Sequence, residues 1–258
     1  MTGLQDSNKT ESNGILGYER KESILRMLEE TGKVTVANLA RHFSVSMETI
    51  RRDLQQLYLE NRLIKVHGGA LAMRGRTYEA PFHDRITLNK EEKSRIGKKA
   101  AEFIHDGDVI AIDVGTTAIE IINHLMDRKD ITVIINSISA LNALIEKKNR
   151  GELIGRIIFL GGEVNARNMT TFGPLVEKQM ELFHIDKVFI AVRGISLDYG
   201  LSTYDINEGS MSKMLIDRAN EVFVVADHSK LEVNSLYRID ALDRVHKVIC
   251  DKEAPPEW

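Results

Sequence analysis

Ser44-Val45-Ser46-Met47-Glu48-Thr49-Ile50-Arg51-Arg52-Asp53-Leu54 decides how this chain is read. It opens with a tight turn and continues as a capped, basic, amphipathic helix. The Ser46 hydroxyl can accept a bond from a first-turn N–H that the helix leaves unpaired. Thr49 stands where a capping box takes Glu or Gln, so the full box is absent. Ile50, Leu54 and Leu57 recur at i, i+4 and i+7 and form one apolar stripe. Met47, Thr49, Arg51 and Arg52 lie off that stripe. A helix held by one face, with Arg and small polar side chains near its N-terminal end, suits a DNA major groove.

The flanks fit that reading. A helical period starts at Tyr18, with Ile24, Leu25 and Leu28 on its apolar face and Gly32 as a stop. Thr35 can cap a second short helix over 36–43, with Leu39 and Phe43 facing inward. Two helices joined by the Ser44-Val45 turn form a helix-turn-helix. Downstream, two β-prone runs flank Gly68-Gly69 and predict a hairpin. On a helix-turn-helix that hairpin is a wing, from which Lys65 and His67 can reach phosphate or the minor groove. The expected division is a flexible arm over 1–17, a winged helix-turn-helix over 18–75, a linker over 76–90 and an α/β domain over 91–258.

From residue 91 the chain alternates helices and strands. Strands are expected at 109–112, 131–135, 156–160, 187–192, 221–226 and 247–250, with helices between them and a loop over 193–205. That alternation predicts a mostly parallel sheet covered on both faces. In such sheets ligands sit at the carboxyl ends of the strands. The first strand runs into Asp113-Val114-Gly115-Thr116-Thr117, where glycine, two hydroxyls and a helix N-terminus suit a phosphate. It is not a P-loop, because GxxxxGK[ST] is missing. Other strand ends offer Asn136, Gly162, Arg193 and Lys230. Asn207 and Glu208 open a later helix, and Lys213 lies two turns into it. Together they predict a pocket for a small phosphorylated polyol. Asp113, Asp205, Glu208 and His228 are the candidate acids or bases.

Charge divides the same way. Residues 1–76 hold 12 Lys and Arg against 9 Asp and Glu, whereas the remainder holds 23 against 29. A basic head on an acidic body is expected if the head alone meets DNA. The single cysteine, Cys250, excludes an internal disulfide and a CxxC metal site. The eight histidines lack ligand spacing, so neither metal nor cofactor is expected. No apolar run reaches the ~18 residues of a membrane span. No secretory signal stands at the N-terminus. The expected location is the cytoplasm.

These residues resemble a known family. Residues 18–73, with Val45 to Leu54 and the Val66-His67-Gly68-Gly69-Ala70 wing, resemble the DeoR-type winged helix-turn-helix of bacterial carbohydrate regulators. Residues 90–250 are similar to that family's effector domain. The similarity lies in Asp113 to Thr117, Asn136-Ser137, Gly161-Gly162, Gly200-Leu201-Ser202-Thr203 and Ala226-Asp227-His228-Ser229-Lys230. The resemblance implies an oligomeric repressor released from double-stranded operator DNA by a sugar phosphate or related metabolite. It also implies an effector domain similar in fold to ribose-5-phosphate isomerase and glucosamine-6-phosphate deaminase. By motif position it implies effector contacts from Asp113, Gly115, Thr116, Thr117, Asn136, Gly162, Asn207, Glu208, Lys213 and Lys230. This chain departs from the family at Ala191-Val192-Arg193-Gly194 and at Leu231-Glu232-Val233.

The expected DNA contacts are Ser46, Met47, Glu48, Thr49, Arg51, Arg52, Lys65 and His67. Met47, Glu48 and Thr49 are expected at base edges, and at least one arginine at phosphate. Asp53, which DNA would repel, is expected to support a neighbouring arginine. The rival reading is a sugar-phosphate isomerase or deaminase with an accessory head. Its mark would be a carboxylate pair, or a carboxylate–histidine pair, converging on the 115–117 loop.

Overall fold

Gly32 has a φ of 75° and closes the first helix, α1 (Gly17–Thr31), by donating its N–H to Leu28 O at 2.8 Å. A short strand, β1 (Lys33–Thr35), follows, then α2 (Val36–Phe43) and α3 (Met47–Leu59). The structure is a computed structural model and describes residues 17–60, 62–66, 68–72, 82–126 and 128–252. Thr35 caps α2, its Oγ1 accepting from Asn38 N at 3.2 Å. Ser44 adopts φ 53°, the left-handed conformation that turns the chain from α2 to α3. Ser46 caps α3, accepting from Thr49 N at 3.1 Å.

The stripe on α3 becomes core. Ile50, Leu54 and Leu57 are buried with Ile24, Leu28, Leu39, Phe43 and Leu63. The hairpin is β2 (Leu63–Val66) and β3 (Gly69–Ala72), and β1 adds to it in the order β1-β3-β2. Sequence reading missed β1, because three residues carry no legible period. Gly69 makes the pairing possible: a Cβ there would lie 2.1 Å from Val34 O.

The chain divides into two compact units, Met1–Arg74 and Gly75–Trp258. The second contains α4 (Phe82–Arg85), α5 (Lys90–Ala101), β4 (Val109–Ile112), α6 (Ile119–His124), β5 (Ile131–Ile135), α7 (Ile138–Asn149) and β6 (Gly155–Phe159). Next come β7 (Glu163–Asn165), β8 (Thr170–Phe172), α8 (Pro174–Met180), β9 (Ile185–Ala191), β10 (Gly194–Ser196) and β11 (Gly200–Thr203). The series closes with α9 (Ile206–Arg218), β12 (Ala219–Val225), β13 (Tyr237–Asp240) and β14 (Lys247–Ile249).

Six strands form one parallel sheet in the order β14-β12-β9-β4-β5-β6. Alternate residues feed two cores. Ile110, Ile112, Val133 and Phe189 pack with Ile96, Ile121 and Leu144 of α5, α6 and α7. Ala111, Ile134, Val188 and Ile190 pack with Val176, Met180, Met211 and Leu215 of α8 and α9. Such double burial is what the near-continuous apolar runs of these strands require.

Three expectations need correction. Residues 193–205 are not a loop: β10 and β11 pair antiparallel there, and β13 extends them. The β7–β8 hairpin was not foreseen, since short polar strands look like loop. Over 82–90 the expected linker is a short helix, a turn and the first residue of α5, and Phe82 is buried (1% exposed). Of the arm expected over 1–17, Gly17 is the first residue of α1 and residues 1–16 lie outside the described residues, as do 73–81 and His67. Among the described residues no helix is long and apolar enough to cross a membrane.

Candidate functional site

The sheet order reverses once. From β4 the chain moves outward through β5 and β6, then returns to β4's other side with β9, β12 and β14. The crevice at such a reversal, outside the strands' carboxyl ends, is where open α/β sheets bind ligands. Here it lies between the segment 113–117, after β4, and 192–193, after β9. The two walls touch closely: a Cβ on Gly115 would lie 2.5 Å from Ala191 Cβ. Thr116 and Thr117 are buried beside it, and Ile119 N donates to Gly115 O at 3.1 Å as the chain enters α6.

Asp113 is buried at the root of this crevice. Its Oδ2 accepts from Ser212 Oγ at 2.7 Å and its Oδ1 from Val114 N at 2.8 Å. Burial pushes its carboxyl up to about 7, against the opposing pull of those bonds. Ser212 escaped sequence reading. Its signal was its spacing four residues after Glu208, one turn along the same helix.

At the next strand end Asn136 is buried, and its Nδ2 donates to Thr170 Oγ1 at 3.1 Å and Thr171 O at 2.9 Å. Asp205 caps α9, its Oδ1 accepting from Asn207 N and Glu208 N at 2.8 and 3.2 Å. Glu208 accepts from Asn168 Nδ2 at 2.7 Å. Asn136, Asn207 and Glu208 thus line one small cavity of about 10 Å³, with the β7–β8 hairpin as its outer wall. That volume is about one water. Asn168, Thr170 and Thr171 also went unread, in a polar run resembling loop.

The remaining candidates divide. Gly162 is a packing glycine: a Cβ would lie 2.4 Å from Val176 Cγ2 and 2.7 Å from Phe172 O. The Arg193 backbone N–H donates to Ser202 O at 2.9 Å. Lys230 is half-buried in a short 3-10 turn after β12. Burial alone would push the neighbouring Asp227 carboxyl up, but the Lys230 charge, two Ser229 bonds and the Lys93 charge together hold it below its ordinary value. Lys93, itself buried, was not foreseen. Lys213 Nζ donates to Asp217 at 2.8 Å and Asp240 at 2.9 Å.

The candidate acids and bases are engaged separately. Asp113 pairs with Ser212, Asp205 caps α9, Glu208 holds Asn168, and His228 Nδ1 lies 2.8 Å from Asp251 Oδ2. Among the described residues no three His, Cys, Asp or Glu side chains gather as metal ligands.

In the N-terminal unit Met47, Glu48, Arg51 and Arg52 are exposed on α3, while Thr49 is half-buried beside the Ser46 cap. Arg51 lies 3.3 Å from Glu48, and Arg52 has no hydrogen-bond or ion-pair partner among the described residues. A groove of about 420 Å³ runs between α3 and the hairpin, lined by Met47, Arg51, Lys65 and Val66 among others. Lys65 Nζ reaches Gln55 Oε1 at 2.5 Å. Asp53 is buried and pairs with Arg20 of α1 at 2.6 and 3.2 Å, not with the arginines beside it.

The DeoR-like helix-turn-helix domain model matches residues 20–75, and the DeoR C terminal sensor domain model matches residues 88–252. The glycerol-3-phosphate regulon repressor of Escherichia coli (strain K12) is 32% identical over 238 residues, covering 92% of this chain and 91% of that protein. The transcriptional repressor AccR of Agrobacterium fabrum is 33% identical, over 90% and 89% of the two chains. The HTH-type transcriptional repressor GlcR of Bacillus subtilis is 32% identical, over 91% and 88%. Among solved structures, ribose 5-phosphate isomerase A from Methanocaldococcus jannaschii is 21% identical, with a TM-score of 0.41 over 55% of each chain. Matched in both halves and along nearly its whole length by repressors, the chain belongs to the DeoR family of transcriptional repressors.

Proposed function

We propose that the α/β unit senses a phosphorylated sugar or related metabolite, and that binding it weakens the grip of the helix-turn-helix on operator DNA. The observation that carries this reading is the reversal of strand order between β4 and β9, with Gly115, Thr116 and Thr117 directly after β4 and Gly115 packed against Ala191. Backbone amides and hydroxyls at a helix start favour a phosphate. Lys230 supplies charge, and Asn136, Asn207 and Glu208 supply partners for hydroxyls. Arg193 follows β9 and belongs to the same proposed contact set. Lys213, paired with two aspartates in the ligand-free protein, belongs to the proposed set only if the ligand draws it from them.

On the DNA side, α3 enters the major groove. Met47, Glu48 and Thr49 face base edges, and Arg51, Arg52, Lys65 and His67 take phosphate or groove contacts. Ser46 holds the helix start. The protein acts in the cytoplasm as a homo-oligomer, and no residue is assigned a catalytic role. Ligand and DNA are linked: a metabolite that weakens DNA binding by some factor is itself bound more weakly by that factor on DNA.

The experiment is a titration of the full chain on a labelled duplex selected from random sequence. The panel holds sn-glycerol 3-phosphate, fructose 1-phosphate, ribose 5-phosphate and inorganic phosphate, with thermal shift run alongside. A panel member that raises the melting temperature and weakens operator binding supports the proposal. Turnover of a panel sugar would favour the isomerase or deaminase reading instead.

A further inference from the structure

The β7–β8 hairpin is tied to its surroundings at several places, among them Leu160, whose carbonyl accepts from Thr171 Oγ1 at 2.5 Å. Asn168 Nδ2 holds Glu208 at 2.7 Å, Thr170 and Thr171 hold Asn136, and Met169 O accepts from Ile138 N at 2.8 Å. At its tip Arg167 O accepts from Phe82 N at 3.1 Å. Phe82 begins the described part of the sensor unit, directly after the residues that join it to the DNA-binding unit. The tip is pre-shaped: Asn165 Oδ1 accepts from Arg167 N at 3.1 Å and Asn168 N at 3.3 Å. Met169 adopts φ 53°. The hairpin belongs to neither larger sheet of its unit and is joined to its surroundings by a bridge between Thr170 and Ser137 and by the Thr171 N bond to Asn136 O at 2.9 Å. A two-stranded ribbon of this size has little stability of its own, so these ties hold it in place.

We propose that this hairpin is a strap which the effector displaces, and that Asn168 is the positioning residue linking Glu208 to Phe82. The proposal rests on the effector reading above and says how its signal leaves the site. A cavity of about 10 Å³ beside Asn136 and Glu208 admits no sugar phosphate. To accept a ligand hydroxyl, Glu208 turns from the Asn168 amide. Asn168 is buried (7% exposed), so its freed amide is driven outward to find a new partner. The tip moves with it, and Phe82 loses its anchor at Arg167 O. The two arrangements are discrete, as a packed and hydrogen-bonded element requires.

Hydrogen exchange on the free full-length protein tests the linkage without any ligand. Asn168→Ala speeds exchange at the Phe82 amide about fivefold or more, while Asn123→Ala, which removes an exposed asparagine–glutamate bond on α6, leaves it unchanged. Asn168→Asp does the same, and adding Glu208→Gln restores protection by rebuilding the bond with donor and acceptor exchanged. A merely packing role for Asn168 predicts no such rescue. Unchanged exchange at Phe82 in Asn168→Ala overturns the strap. A second arm titrates wild type and Asn168→Ala with sn-glycerol 3-phosphate on operator DNA. The strap predicts that the variant binds both partners but loses most of their mutual antagonism. If wild type shows no antagonism with any panel sugar, the effector reading fails while the exchange result still decides the linkage.

Discussion

Ser212 on α9 donates a 2.7 Å hydrogen bond to Asp113 Oδ2, across 99 positions of sequence. The bond pins the helix that carries Glu208 to the strand end that begins the crevice. Ser212 also donates to Glu208 O at 3.0 Å, so its hydroxyl is shared between the acid and its own helix. That sharing weakens the support given to a charged Asp113, and complete burial then decides its protonation.

Asp113 titrates near 7, against an ordinary value of 3.8. Between those values the folded protein keeps a proton that the unfolded chain has lost. Stability therefore falls as pH rises through that window and is level above it. At about 1.4 kcal/mol per pH unit, the full cost is on the order of 4 kcal/mol, as an upper bound. Asp113→Asn removes it, because Asn resembles the neutral acid. The melting-temperature advantage of the variant is expected to grow from pH 4 to pH 7 and then stay constant. Parallel curves would mean the carboxyl titrates normally.

The Arg20–Asp53 pair sets up a second prediction. Both side chains are nearly buried, at 10% and 6% exposure, and the two bonds are bidentate. Removing Arg20 leaves the buried Asp53 carboxylate without its guanidinium, at a cost of about 3–5 kcal/mol, and removing Asp53 takes away the bidentate acceptor of Arg20. Asp53→Ala and Arg20→Ala should each speed amide exchange throughout α1 and α3 while leaving the α/β unit unchanged. Arg20→Lys should fall between them and wild type, since a point charge replaces the planar fork. Exchange confined to the mutated helix would show the pair to be local decoration.

What sequence revealed and what it hid follow the length of each signal. The α3 stripe, the Thr35 and Ser46 caps and the long apolar strands each repeat a period or place a known residue type at a boundary. They are legible for that reason. Strands β1, β7, β8, β10 and β13 have three or four residues and lack the apolar run that made the equally short β4 and β14 legible. At the site, residues at strand ends were legible because topology makes those positions special. Ser212, Lys93 and Asn168 were not, because each acts through a partner far along the chain. The ion pairs of Lys213 were hidden too, because one of its aspartates lies on a strand that sequence reading missed.

Gly115 offers a direct test of the crevice. A methyl group there would meet Ala191 Cβ at 2.5 Å, so one wall must move. Gly115→Ala is expected to cost about 1–3 kcal/mol through overpacking. It should also abolish the thermal shift given by any panel sugar phosphate, while operator binding without ligand persists. Adding Ala191→Gly removes the clashing atom and should recover stability. A Gly115→Ala protein that still answers to a sugar phosphate would move the ligand away from the β4–β9 crevice.

The salt dependence of DNA binding separates the two arginines of α3. Arg52 is exposed and has no partner among the described residues, so its charge is available to a phosphate. Each lost phosphate contact reduces the slope of log K against log salt by about 0.9. Arg52→Ala should therefore lower affinity on every duplex alike and flatten the slope by about one per bound head. Arg51 begins from an exposed pair with Glu48 at 3.3 Å, which is worth at most about 1 kcal/mol. DNA can dissolve that pair, and the Glu48 carboxylate then opposes the phosphates. Glu48→Ala should raise affinity for random duplex more than for operator, narrowing the ratio between them. Arg51→Ala should lose operator affinity selectively if its guanidinium reads a guanine, by about 1–3 kcal/mol at that base pair. Equal loss on operator and random duplex would assign Arg51 to the backbone beside Arg52.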